Sequence, residues 1–96
     1  MGLENRSINN IQVKFAQKDI QAPNIWWEYG TLWADTNDTQ DVEIIKEGLE
    51  EVISKDCEVQ VSKLNATETE PWDQYAFDVR LIPFYKDDKF VPKVVA

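Results

Sequence analysis

Residues 42–55, VEIIKEGLEEVISK, constrain the fold more than any other stretch of the chain. At about 100° per residue, Val42, Ile45, Leu49, Val52 and Ile53 share one arc of a helix. Glu43, Glu47, Glu50 and Glu51 occupy the opposite arc. A helix this short is marginal in water unless its apolar face is packed, so the rest of the chain must supply a surface for it. Gly48 costs about 1 kcal/mol relative to alanine in a helix interior, which predicts a neighbour packed closely against it.

The remaining segments read as strands. NIQVKF, residues 10–15, alternates with Ile11, Val13 and Phe15 on one side. IWWEYGTLWA is strand-like by aromatic content, with Ile25, Trp27, Tyr29 and Trp33 on the inward side and Trp26 and Leu32 outward. EVQVS alternates through Val59 and Val61. QYAFDVRL places Tyr75, Phe77, Val79 and Leu81 on one face until Pro83 ends the ladder. The order β-β-α-β-β predicts an α+β fold: a two-layer sandwich in which a four-stranded, mainly antiparallel sheet carries one helix on one face. Neither a repeat nor a linker interrupts it, so residues 1–96 are expected to form a single domain.

Charge is unevenly distributed. The net charge is −8, yet residues 35–78 carry thirteen carboxylates against three lysines, a net of −10. Asp35, Asp38, Asp41 and Glu43 lie where a helix macrodipole favours anions, and Asp38, Thr39 and Asp41 are each competent N-caps. The later glutamates lack that explanation, because Glu43–Glu47 and Glu47–Glu51 are like-charged neighbours four residues apart. Solubility alone accounts for a charged helix face; a face for a basic partner is the sharper reading. On that reading the glutamate ridge, with carboxylates about 5–6 Å apart, imitates a row of nucleic-acid phosphates. The loop ATETEPWD extends the acidic strip with Glu68, Glu70 and Asp73 and offers Trp72 as an exposed aromatic anchor.

Other chemistry is weakly supported. The chain has no histidine and one cysteine, Cys57, so the commonest general base is missing and no intramolecular disulfide or thiolate zinc site can form. DTNDTQDVE fails as a calcium loop, since counting from Asp35 puts Gln40 at the glycine position and Lys46 at the bidentate glutamate. No phosphate-binding loop or nucleophile elbow occurs. These features predict a protein that is not an enzyme, holds no cofactor or metal, and binds neither nucleic acid directly nor a membrane. The polar start, MGLENRSINN, predicts no signal peptide. A cytoplasmic setting follows from that expectation and the single cysteine.

The small, acidic, histidine-free profile resembles, in composition alone, phage-encoded inhibitors of the anti-restriction and anti-CRISPR kind. The first expectation is therefore an inhibitor, phage- or mobile-element-encoded, that blocks a basic nuclease or other nucleic-acid-binding protein by DNA mimicry, or an immunity protein. Its site comprises Glu43, Glu47, Glu50, Glu51, Asp35, Asp38, Glu68, Glu70, Trp72 and Asp73. The alternative is a small structural or assembly subunit, for example of a virion, which binds through an aromatic sheet face or an edge strand; a homodimer is compatible with either. A third reading is a ligand-binding module built on the outward Trp26, unless Phe90 and Val91 of the tail cover it.

Overall fold

The computed structural model describes residues 2–68 and 71–82. Its elements run α1 (Leu3–Gln17), β1 (Asn24–Glu28), β2 (Thr31–Asp35), α2 (Thr39–Glu50), β3 (Cys57–Leu64) and β4 (Gln74–Leu81). The fold is α+β with a four-stranded antiparallel sheet in the order β1-β2-β4-β3. β2 and β3 therefore run parallel to each other on either side of β4, with α2 connecting them.

The β-β-α-β-β order is corrected by α1. Residues 10–15 are helical, and the buried set on α1 is Ser7, Ile11 and Phe15, spaced four apart. Ile11 and Phe15 fit period 2 and period 3.6 equally well; Val13, which only a strand would bury, is 51 % exposed. Ser7 is fully buried because the Trp27 indole Nε1–H donates to its Oγ (2.9 Å), and that hydroxyl donates in turn to the Glu4 carbonyl (2.9 Å). A polar residue thus completes the packing stripe. The helix ends in a Schellman arrangement: Asp19 takes φ 57°, its N–H donates to the Ala16 carbonyl, and the Ile20 N–H donates to that of Phe15.

The second correction splits the expected strand at residues 25–34. Tyr29 and Gly30, with φ of 53° and 79°, make the two-residue turn of a hairpin whose sense of twist matches its strands. Such a turn pairs even positions with odd ones, Trp26 with Trp33 and Trp27 with Leu32. The inward face consequently changes parity between the two strands. Leu32 and Ala34 enter the core, Trp33 turns outward with Trp26, and Tyr29 stands 97 % exposed at the tip.

The core joins both helices to one sheet face: Ile11, Phe15, Ile44, Ile45 and Leu49 meet Leu32, Ala34, Val59, Tyr75 and Phe77. On α2 the buried arc is Asp41, Ile44, Ile45, Gly48 and Leu49. It is rotated from the expected one, with Val42, Val52 and Ile53 only partly buried. The rotation brings Gly48 against α1, where an added Cβ would lie 2.7 Å from Ile11 Cγ1. Asp38 is the N-cap, its Oδ1 accepting from the Gln40 N–H at 2.8 Å. Asp41 is buried because Thr36 Oγ1 donates to its Oδ2 at 2.8 Å. No helix of the described residues is long and apolar enough to cross a membrane.

Candidate functional site

The acidic residues divide into three places. Glu43, Glu47 and Glu50 of α2 and Glu51, its C-cap, are all exposed, but the row of bare carboxylates that phosphate imitation calls for is not what the structure presents. Lys14 of α1 reaches Glu51 at 2.6 Å and Glu47 at 4.0 Å. Lys46 lies 3.9 Å from Glu50, and Lys18 shares an open cleft with Glu43 and Glu47. Asn10 Nδ2 also donates to Glu51 Oε1 (3.0 Å) and to the Gly48 carbonyl (2.8 Å). A lysine expected on a strand is carried instead by a helix lying against α2.

The hydrogen bond from Lys14 lowers the Glu51 pKa below its ordinary 4.5, and that from Asn10 lowers it further. The same bond to Glu51 raises Lys14 above its ordinary 10.5, against the opposing effect of its partial desolvation. Both shifts favour the folded state at neutral pH. The contribution from Glu51 is complete above 4.5 and is lost as pH falls through its lowered folded value. That from Lys14 is complete below 10.5 and is lost as pH rises through its raised folded value. Lys14→Met is therefore expected to flatten both limbs of the stability–pH curve, as read from thermal midpoints across the range. The exposed position of Glu51 makes the effect modest and sensitive to salt.

The second place is the end of the molecule where the β2–α2 and β3–β4 connections meet. The Thr36 N–H donates to the Asp73 carbonyl (3.1 Å), and the Asp73 N–H donates to Asn37 Oδ1 (2.8 Å). These bonds bring Asp38 and Asp73, far apart in sequence, to the same end. Asp73 is itself engaged: its Oδ1 accepts from the Ala66 N–H (2.8 Å) and its Oδ2 lies 3.3 Å from Lys63. Its carboxylate braces the β3–β4 connection internally, while its backbone joins that connection to the one between β2 and α2. Glu68 is exposed and Trp72 is 38 % exposed; Glu70 lies outside the described residues, as do Phe90 and Val91.

The third place is the sheet face turned away from the core, most of which the sequence reading did not single out. Trp26 and Trp33 are directly paired across β1 and β2, and the next position on β4 in that row is Ala76. Asn24, Asp35 and Gln74 form the row on one side; Glu28, Thr31 and Asp78 form the row on the other. Neighbours hold each of these carboxylates. Asp35 accepts from Gln74 Nε2 (2.9 Å) and Asn24 Nδ2 (3.4 Å), Asp78 from Thr31 Oγ1 (2.7 Å), and Glu28 from the Trp26 Nε1–H (3.2 Å). None of the three has an ion pair among the described residues. The signal that could have located this face was the dipeptide Tyr29-Gly30: read as a hairpin turn, it sends Trp33 outward beside Trp26.

Comparison with protein-family models, curated proteins and solved structures finds no match to the chain.

Proposed function

We propose that the chain is a non-catalytic binding protein, an inhibitor by occupancy, whose partner is a basic protein of the nuclease or nucleic-acid-binding class. The observation that carries the reading is where negative charge is left uncompensated. The α2 ridge meets Lys14, Lys18 and Lys46 and makes a poor copy of a phosphate row. Around the loop end and the outer sheet face, Asp35, Asp38, Glu68, Glu28 and Asp78 have no ion pair among the described residues. Carboxylates of one sign spread over contiguous surfaces steer a cationic partner and make its association sensitive to salt. DNA mimicry in this form resides in the loops and sheet, with Trp72 as a flanking apolar contact, and not in a helical ridge.

The test is capture of a partner on immobilised full-length protein at low salt, followed by salt elution and a competition assay. The eluted protein is expected to bind DNA or RNA and to lose that binding when this protein is added. The double variant Asp38→Asn, Glu68→Gln should compete several-fold less well, because asparagine retains the N-cap function while the charge is lost. A salt-eluted partner with no affinity for nucleic acid would remove the inhibitor reading.

A second reading, an assembly subunit, is favoured by one observation: two tryptophans paired on the outer sheet face, both partly exposed. It predicts a contact that persists at high salt and ignores charge neutralisation at the loop end.

A further inference from the structure

We infer that the outer sheet face is a receptor for arginine side chains of the basic partner, with Trp26 and Trp33 as the stacking platform and Glu28, Asp35 and Asp78 as the carboxylates that receive the guanidinium. The inference rests on the basic-partner reading above and specifies its contact.

The register supplies the geometry. The two tryptophans stand at directly opposed positions on the same face, their backbones roughly 4.8 Å apart, and both are partly exposed. Ala76, buried on this face at 6 % exposure, continues the row with almost no side chain. The flanking rows lie two residues along each strand, about 7 Å away, within reach of a guanidinium stacked on either ring.

Charge decides among the occupants. A face with three carboxylates repels phosphate, so a nucleic-acid strand stacking its bases on the indoles is disfavoured despite the aromatic pair. An uncharged apolar partner would leave those carboxylates desolvated without a counter-charge. A cation satisfies both features, and arginine does so better than lysine. Its plane stacks on an indole while its N–H fork donates to carboxylates, whereas an ammonium is a compact, strongly hydrated point charge. The existing hydrogen bonds leave this capacity open. Asp78 and Glu28 each show one side-chain donor, and an ionised carboxylate has about four acceptor sites. Arg80, the cation of this strand's outer face, lies one row beyond Asp78 and opposite Glu58.

The experiment uses the full chain and three blocked peptides with arginine, lysine or citrulline at alternate positions. Binding is read by calorimetry and by the indole Nε1–H resonances. The arginine peptide is expected to shift Trp26 and Trp33 more than Trp27, which packs against the core on the opposite face, and to bind several-fold tighter than the lysine peptide. The citrulline peptide should not bind. Trp26→Ala should weaken the arginine peptide by about 3- to 30-fold. Trp26→Phe, which keeps a ring on the strand, should weaken it less, and Asp78→Asn should weaken it with the fold intact by amide spectrum.

Unchanged affinity in Trp26→Ala and Asp78→Asn, together with loss in the Asp38→Asn, Glu68→Gln variant, overturns the sheet-face receptor and leaves the basic-partner reading standing. Absence of binding by any cationic peptide at low salt removes both. Sedimentation of the free protein as a dimer that Trp26→Ala dissociates assigns the face to a second copy and overturns the inference.

Discussion

Phe77→Ala is expected to destabilise the protein by about 3–5 kcal/mol, the range for removing a fully buried aromatic ring from a packed core. Phe77 is 0 % exposed and stands on β4 between Leu32 of β2 and Val61 of β3. It belongs to the cluster that also holds Ile11 and Phe15 of α1 and Ile45 and Leu49 of α2. A domain of this size has roughly 5–15 kcal/mol in all, so the loss approaches the whole. Urea unfolding followed by tryptophan fluorescence should show the midpoint falling sharply with little change in slope. A loss below about 1 kcal/mol would mean that β4 is not the centre of the core.

The second large effect is at the contact between the helices. A Cβ on Gly48 would lie 2.7 Å from Ile11 Cγ1 and 3.1 Å from Ile11 Cα. Ile11 is 0 % exposed and cannot swing aside. Gly48→Ala sets an overpacking cost of about 1–3 kcal/mol against a helix-propensity gain of about 1 kcal/mol, for a net loss of about 1 kcal/mol. Gly48→Val adds two methyl groups and removes most of the propensity gain; about 3 kcal/mol is expected. The two helices would have to separate, taking with them the Asn10 bond to the Gly48 carbonyl and the Lys14 pair with Glu51. A double-mutant cycle makes the cause explicit: in an Ile11→Ala background, which removes Cγ1, the Gly48→Ala penalty should vanish or reverse. An additive cycle would place the strain elsewhere.

The candidate surfaces were partly legible in the sequence. Asp35, Asp38, Glu68 and Trp72 come near the end where the two acidic loops meet, as their polarity and position imply. The pairing of Trp33 with Trp26 was hidden by the hairpin turn. Tyrosine rarely takes the first turn position with positive φ, so the two halves read as a single strand. Charge on α2 was legible as composition but not as electrostatics.

The sequence by itself determined β3 and β4 by strict alternation, the presence of an amphipathic helix at α2, though neither its buried arc nor its end at Glu50, and the close approach at Gly48. It also determined the excess of carboxylates between residues 35 and 78. Tertiary structure decided the rest. Residues 10–15 are seen to be helical only once Ser7 joins Ile11 and Phe15 in the buried stripe, where its hydroxyl accepts from the Trp27 indole twenty residues away. Which tryptophans face solvent depends on the parity switch of a two-residue turn. Whether the glutamates of α2 form an open ridge depends on Lys14 arriving on a neighbouring helix. The physical reason is common to all three: local periodicity records which side of an element is buried, while neutralisation and facing depend on what is packed beside it.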